Sequence, residues 1–308
     1  MSGLILHHFD LSPFAEKIRK VFGVKNIDWY SVQIPMIMPK PDLMPLTGGY
    51  RKTPVLQIGA DTYCDTSLIV DVLEDLYPAP TLFGSGRLTN HAFQTWSDRE
   101  VFPFSAALSL HENAENLPDS VIRDRREYFS FLDFEKFEAD APHFRAQFAA
   151  HATKINEQLS DNRDFLLGRA PEWADINACL NIWTAHGHIP GAARMFDGLG
   201  HMNAWYARMT ELGEGRRTEV DAHYALDVAQ KSTPDPVESP DTCSGAGEAA
   251  VGTTVTVTPT DYGCVPVTGT LADVSATRIS ISRSSGRTGD VNVHFPRTGF
   301  RVEAMNGR

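Results

Sequence analysis

The hydrophobic pattern of the first 80 residues changes repeatedly between the strand and the helix period. Short apolar runs such as Leu4–Leu6 predict buried strands, and apolar residues three or four apart after Ser12-Pro13 predict an amphipathic helix. A capping hydroxyl followed by proline is typical of a helix start. The predicted strands cover residues 4–6, 28–34 and 53–58, and the predicted helices begin at Ser12 and Asp65. This order of elements predicts an α/β domain over residues 1–80.

The second stretch, residues 85–228, has no strand alternation and carries long helical patterns instead. Apolar residues fall at helical spacing over residues 92–109, 144–159 and 173–186. Consecutive amphipathic helices without intervening strands predict an all-helical bundle domain.

The third stretch follows a segment with the composition of an exposed linker. Residues 231–248 combine three prolines with Ser, Asp and Gly. From residue 249 onwards, apolar and polar residues alternate in four or five short runs separated by turn residues. These runs predict a small, barrel-like all-β domain over residues 249–308.

Composition and charge restrict the partners of the chain. The 308 residues carry a formal net charge of −11, which argues against a nucleic-acid binder because such a protein needs a basic face. No apolar stretch reaches the roughly 20 residues of a membrane helix, and the amino terminus lacks the features of a signal peptide. We therefore expect a cytoplasmic protein without a membrane partner.

The four cysteines are widely spaced and form no Cys-x-x-Cys pair, which is typical neither of a disulfide framework nor of a zinc site. We expect no metal. A Cys243–Cys264 disulfide is conceivable from the spacing, but a reducing compartment argues against it. A disulfide-reducing or peroxidase-like role would depend on Cys64, and a buried structural cysteine is the commoner case.

Three segments of the first domain stand out by their order. They are Ser12-Pro13 at a strand-to-helix turn, Thr53-Pro54 at the entry to a strand, and Asp65-Thr66 at a helix start. Each has a structural interpretation by itself, because Ser and Asp cap helices and a residue before proline is extended. Taken together, they resemble the glutathione S-transferase superfamily. The resemblance continues through Phe165–Ile176 and covers about residues 3–225.

The resemblance implies a thioredoxin-like first domain, an all-helical second domain and a homodimer. It also implies that glutathione is the co-substrate. Within the resembling helical segment, Glu172 replaces the usual capping Ser or Thr, and Asp175 is then a folding residue rather than a catalytic one. The third domain lies outside the common architecture of the family.

The chemistry of glutathione fits the three segments. A cis Pro54 would turn the backbone of Thr53 towards the cysteinyl backbone of the tripeptide. The N–H and hydroxyl of Thr66 would hold the γ-glutamyl carboxylate at a helix start, and Asp65 would hold the ammonium. Lys40 resembles the lysine that some family members use for the glycyl carboxylate. Lys52 and Arg51 are alternatives for that role.

Ser12 is the candidate catalytic residue. A thiol titrates near pH 8.5, and each pH unit corresponds to about 1.4 kcal/mol. A hydrogen bond to a charged group contributes about 1.5–3 kcal/mol and a helix amino terminus about 0.3–1 kcal/mol. The Ser12 hydroxyl and its helix therefore suffice to ionise glutathione near neutral pH. The sequence leaves open whether Ser12 is catalytic or only a helix cap.

A second substrate requires an apolar pocket, which the family places between its two domains. The candidate lining residues are Phe9, Met36, Met38, Phe102, Phe104 and Leu108. Each of them can equally be an ordinary core or interface residue.

Serine in place of cysteine at position 12 favours conjugation or isomerisation of a small hydrophobic electrophile over disulfide exchange. The alternative function is a non-catalytic dimer scaffold whose β-domain binds a protein partner, with His294–Arg297 as a contact surface. The mild excess of arginine in the third stretch makes nucleic-acid binding a weaker possibility.

Overall fold

The computed structural model of the chain describes residues 3–237 and 249–305. The chain forms two compact units. The first, here the sheet unit, is drawn from Met1–Ile18, Ile27–Leu73 and Arg216–Arg308, and the second, the helical unit, from Arg19–Asn26 and Glu74–Gly215. The expected thioredoxin-like part, helical part and carboxy-terminal strand-rich part are all confirmed.

The amino-terminal part has the predicted alternation of strands and helices. Its elements are β1 (Leu4–His8), α1 (Pro13–Val24), β2 (Asp28–Gln33), α2 (Met44–Thr47), β3 (Val55–Ile58), β4 (Asp61–Cys64) and α3 (Thr66–Leu76). Strand β1 pairs in parallel with β2 and antiparallel with β3, and β3 pairs antiparallel with β4. The all-buried residues of β1 explain why its sequence reads as a continuous apolar run rather than an alternation.

Six α-helices follow in the helical unit. They are α4 (Arg87–Thr95), α5 (Phe102–Glu112), α6 (Asp119–Tyr128), α7 (Phe137–Gln158), α8 (Trp173–His188) and α9 (Gly200–Glu211). A π-helical segment, Trp96–Val101, joins α4 to α5, and a 3-10 turn, Ala192–Phe196, precedes α9. Helix α8 is buried along most of its length, so it is the central helix of this unit.

The start of α8 is fixed by two buried carboxylates. Asp175 accepts hydrogen bonds from the backbone of Leu166 and Glu172 and from the indole of Trp205, at 2.7, 3.0 and 2.9 Å. Glu172 accepts from Asn90 and from both the N–H and the hydroxyl of Ser85. Glutamate at position 172 therefore joins the loop before α4 to the start of α8, and Asp175 has the folding role that the sequence suggests.

The chain then returns to the sheet unit. Its last elements are β5 (Arg216–Glu219), α10 (Ala222–Gln230), β6 (Thr254–Pro259), β7 (Val267–Val274), β8 (Arg278–Ser285), β9 (Gly289–Pro296) and β10 (Phe300–Ala304). Residues 216–228, expected to belong to the helical stretch, thus lie in a strand and a helix of the sheet unit. Of the expected linker, residues 238–248 lie outside the described part, and so does Cys243.

The carboxy-terminal strands continue the thioredoxin-like sheet. The strand order is β10-β6-β7-β8-β9-β4-β3-β1-β2-β5, and β9 joins β4 in parallel. The sequence predicts a β-domain with its own sheet, but the structure gives one ten-stranded sheet. The reason is that β4 would otherwise be an edge strand, and its free backbone groups pair with β9.

One apolar core lies against both halves of this sheet. It joins Ile5 and Val55 from the amino-terminal strands to Val293 and Phe295 from β9, all of them at most 1 % exposed. Because the two halves share a sheet and a core, the carboxy-terminal strands are an integral part of the sheet unit.

Candidate functional site

Three neighbouring strands bring the three candidate segments to one end of the sheet, where the strands β1 and β4 finish and β3 begins. This end of the sheet is called the common edge below. His7 of β1 lies opposite Val55 of β3, and Val55 lies opposite Cys64 of β4. Beyond this row, β1 continues to Ser12-Pro13, β3 is preceded by Thr53-Pro54, and β4 continues to Asp65-Thr66. Since neighbouring strands run antiparallel here, all three segments leave the row at the same end.

Ser12 is the amino-terminal cap of α1. Its Oγ accepts a hydrogen bond from the N–H of Ala15 at 3.2 Å, and its carbonyl accepts from Glu16. The residue is only 3 % exposed. Ser12 therefore caps the helix. The cap uses a lone pair of the Ser12 hydroxyl and leaves its proton available for another hydrogen bond.

Thr53 and Pro54 are joined by a cis peptide bond, as the resemblance implies. The Thr53 hydroxyl accepts a hydrogen bond from the Lys40 ammonium at 2.7 Å, and the Arg51 carbonyl accepts another at 2.9 Å. Lys40 is 2 % exposed. Lys40 is thus buried against residues 51–53, just before β3. Its ammonium holds this stretch, which includes Thr53, in place.

Asp65 and Thr66 start α3. The backbone of Asp65 is left-handed, with φ of 75°, and its Oδ1 accepts from the N–H and the hydroxyl of Ser67 at 2.9 and 2.7 Å. An aspartate tolerates this conformation because its side chain bonds locally. The side chain of Thr66 is buried. The start of α3, whose first N–H groups lack intrahelical partners, therefore lies at the common edge.

Side chains in the loops between the carboxy-terminal strands form ion pairs and hydrogen bonds with residues beside these segments. The Lys52 ammonium bonds to the carboxylate of Asp261 and lies over the ring of Tyr262, 4.4 Å from its centroid. Arg287 donates to Asp42 at 2.6 Å and to the carbonyl of Pro41 at 3.0 Å. The segment between Lys40 and Thr53 is consequently fastened to residues more than 200 positions later in the chain.

The candidate pocket residues divide between the two units. Phe9 is partly buried against the core of the sheet unit, and Met36 and Met38 are partly exposed. Phe102 and Leu108 are buried within the helical unit, where the Phe102 ring contacts other aromatic rings. Phe104 is half-buried and stacks with His151, with ring centroids 6.1 Å apart.

The sequence and the structure match known proteins. The glutathione S-transferase amino-terminal domain model matches residues 6–81, and no curated protein matches the chain. The chain is 34 % identical to a GST-like protein from Pseudomonas syringae, whose crystal structure superposes with a TM-score of 0.82. That match covers 99 % of this chain and 100 % of the other. The chain belongs to the glutathione S-transferase superfamily.

Other members of the superfamily share the fold over about two thirds of the chain. A glutathione S-transferase from Rhodospirillum rubrum F11 is 23 % identical with a TM-score of 0.52, covering 67 % of this chain and 87 % of that chain. A family member from Pseudomonas fluorescens Pf-5, with two glutathione bound, is 11 % identical with a TM-score of 0.53, covering 69 % and 93 %. The full-length match to the Pseudomonas syringae protein shows that this transferase-like chain shares its carboxy-terminal strands with a relative.

Two titratable side chains of this superfamily member lie directly behind the common edge. Cys64 is fully buried, and burial raises the pKa of its thiol well above the usual value. Burial lowers the pKa of His7 to about 4, although its hydrogen bond to Gln57 acts in the opposite direction. Cys64 is therefore a protonated core thiol, and His7 is a neutral core imidazole at pH 7.

A polar cluster that the sequence pattern does not reveal lies where β4 meets the carboxy-terminal strands. The imidazole of His294 lies between Ser280 and Asp61, 2.8 Å from each. The expectation that His294–Arg297 forms a contact surface is wrong for its first residues, because His294 is 3 % and Phe295 0 % exposed. Alternation along β9 could have placed His294 on the face opposite Val293, but only the pairing of β9 with β4 reveals its partner.

Within residues 3–237 and 249–305, no group of three or more His, Cys, Asp or Glu side chains could hold a metal ion. In the same part of the chain, no helix is both long and apolar enough to span a bilayer.

Proposed function

We propose that the chain binds glutathione at the common edge and transfers it to, or uses it to isomerise, a small hydrophobic electrophile. The observation that carries this proposal is the row formed by His7, Val55 and Cys64, beyond which Ser12, Thr53-Pro54 and Asp65-Thr66 lie at one end of the sheet. These groups match the thiol, the backbone and the charged end of a γ-glutamyl peptide.

The peptide part of glutathione would pair with the backbone of Thr53 as a short added strand. Its γ-glutamyl carboxylate would accept from the N–H groups at the start of α3, and the Asp65 carboxylate would accept from its ammonium. Because the Lys40 ammonium already bonds to Arg51 and Thr53, we assign Lys40 a positioning role in place of direct contact with the glycyl carboxylate.

The thiol of glutathione would lie at the amino terminus of α1. The Ser12 oxygen accepts from Ala15, so its O–H is the group that can donate to a thiolate. One such hydrogen bond and the helix dipole lower the pKa of the thiol from about 8.5 to about 7. The thiolate then attacks an electrophilic carbon. In a substitution the C–S bond forms and the leaving group departs with its bonding electron pair. In an isomerisation the C–S bond forms at one carbon of the double bond, the remaining single bond rotates, and the C–S bond breaks to restore the double bond and release the thiolate.

The apolar electrophile site and the homodimer are expectations from the family resemblance, and the cytoplasmic location is an expectation from the cysteines. We propose that Phe9, Met36 and Met38, which are partly exposed in the sheet unit, contribute to an apolar electrophile site; Phe102 and Leu108 are buried in the core of the helical unit. A homodimer is expected, and sedimentation velocity tests it. The buried thiols of Cys64 and Cys179 and the exposed thiol of Cys264 suit a reducing cytoplasm. Cys64, on which a disulfide-reducing role would depend, is buried and its thiol is protonated.

Isothermal titration calorimetry with glutathione tests the binding step. We expect saturable binding to the full chain, together with ultraviolet absorbance of a bound thiolate whose apparent pKa lies near 7. Turnover of an aryl halide and of an isomerisable diene acid then tests the transfer step. Absence of glutathione binding would remove the enzymatic proposal and leave only the architecture.

A further inference from the structure

Strand β4 ends at Cys64, one residue before Asp65, and pairs with β9 of the carboxy-terminal strands. Asp61, Thr62 and Tyr63 of β4 lie opposite Asn292, Val293 and His294 of β9. Asp65 lies two residues after Tyr63 and caps α3. Because β4 continues directly into the turn that carries Asp65 and Thr66, the position of β4 sets the position of that turn.

A chain of buried hydrogen bonds crosses this junction. Asp61 is a carboxylate and only accepts, so Nε2 of His294 donates to it and Nδ1 accepts from the Ser280 hydroxyl. Burial lowers the pKa of His294, against the effect of Asp61, so the ring is neutral and makes both bonds at once. The ring also stacks on Tyr63, with centroids 4.7 Å apart.

Further bonds complete the junction. Asp61 accepts from the side chain of Asn292 at 3.3 Å and from the backbone of Asp235 at 2.9 Å. The Thr62 hydroxyl lies within hydrogen-bonding distance of the carbonyls of Asn292 and Leu46, at 3.1 and 3.2 Å. Buried networks that are fully paired rigidify the backbone that carries them.

The order Ser280, His294, Asp61 is that of a hydrolase triad. Ser280, however, is 0 % exposed, and the other two side chains are 3 % exposed. A substrate cannot reach the hydroxyl, so these three residues form a structural link and not an active site.

We infer that His294 is a positioning residue for the γ-glutamyl end of glutathione: through Asp61 it fixes β4, and β4 places Asp65 and Thr66. The inference rests on the proposed function for the identity of the ligand, and it gives the carboxy-terminal strands a part in the glutathione site. The contacts of Lys52 with Asp261 and of Arg287 with Asp42 brace the neighbouring segment in the same way.

Two substitutions of His294 separate this role from general stability. In His294→Gln the amide nitrogen reaches the position of Nε2 and keeps the bond to Asp61. In His294→Asn the amide reaches only the position of Nδ1, so the bond to Ser280 is kept and the bond to Asp61 is lost. Arg301→Ala, at an exposed site on β10, is the matched control.

The first measurement is hydrogen exchange of the full chain without ligand. His294→Asn should accelerate exchange at the amides of residues 65–69 by about tenfold and leave β1 unchanged, whereas His294→Gln and Arg301→Ala should match the wild type. Equal acceleration across the whole sheet, or none at residues 65–69, would overturn the inference.

The second measurement is glutathione affinity by calorimetry. The affinity should fall about five- to tenfold in His294→Asn and stay within about twofold in His294→Gln. Unchanged affinity in His294→Asn overturns the inference while the proposed function stands. If the wild type does not bind glutathione, the proposed function fails, and the exchange data alone decide whether His294 positions residues 65–69.

Discussion

The imidazole of His294 lies 2.8 Å from the carboxylate of Asp61, although 233 positions separate the two residues in the chain. This contact joins the last third of the protein to the fourth strand of its thioredoxin-like part. It shows that the strands after residue 249 are built into the sheet that carries the candidate glutathione site.

Ser12→Ala should reduce both stability and activity. Loss of the cap costs about 1 kcal/mol, and loss of the hydrogen bond to the thiolate lowers kcat/KM about ten- to hundredfold near pH 7. Ser12→Gly separates the two effects, since glycine at a cap position costs only a few tenths of a kcal/mol. Urea unfolding and thiolate titration are the measurements. Full activity in Ser12→Gly would show that another residue ionises the thiol.

Asp65→Asn should weaken glutathione binding without disturbing α3. Asparagine keeps the acceptor for Ser67 and tolerates the left-handed backbone of this position. It removes the charge opposite the ligand ammonium, so affinity should fall about tenfold. A glutathione analogue without the α-ammonium should bind variant and wild type equally. Equal loss for both ligands would contradict the assigned role of Asp65.

Phe295→Ala should destabilise the whole sheet unit and not only its carboxy-terminal strands. The side chain is 0 % exposed, and its ring lies 5.9 Å from that of Tyr50 in the loop before β3. Removing a buried phenylalanine costs about 3–5 kcal/mol. Urea unfolding followed at both halves of the sheet should shift as a single transition, with Val251→Ala at an exposed site as control. Separate transitions would mean that the carboxy-terminal strands fold independently.

His7 should make the sheet unit less stable in mild acid. Its folded pKa of about 4 lies below the ordinary value of 6.5, so the unfolded chain binds the proton more tightly. Stability is full above pH 6.5 and falls as pH drops towards 4, by about 2 kcal/mol between pH 7 and pH 5. In His7→Gln, the loss of stability between pH 7 and pH 5 should be smaller by these roughly 2 kcal/mol. A pH dependence identical to that of the wild type would place His7 in a different environment.

Asp175→Ala should unfold the start of α8 without acting on glutathione. The substitution leaves the donors of Leu166, Glu172 and Trp205 without their acceptor, at a cost of about 3–5 kcal/mol. Circular dichroism and thermal unfolding measure the effect, with Glu115→Ala at an exposed position as control. A variant of wild-type stability would disprove the folding role of Asp175.

Local patterns predicted most individual elements correctly. The Ser12-Pro13 start of α1, the period-two runs of β6, β8 and β9 and the helical patterns of α7 and α8 are each encoded by residues close together in the chain. The three site segments could also be recognised in the sequence, because each is a local turn or cap with specific residue types.

The sequence did not show that the carboxy-terminal strands join the amino-terminal sheet. A period-two run shows that one face is buried, but it does not say against what. Nor did the sequence show that Lys40 and Lys52 are engaged by Thr53 and Asp261. Those contacts depend on pairing across long stretches of chain.

The sequence by itself indicated the family, the order of most strands and helices, and the turns that carry Ser12, Pro54 and Asp65, but it missed strand β5. Caps and alternating patterns are local, and each is decided by neighbouring residues. Only the tertiary structure decided that β9 pairs with β4 and that His294 meets Asp61. The backbone groups of an edge strand accept any strand that also buries its apolar face, so the partner is chosen by packing over the whole unit.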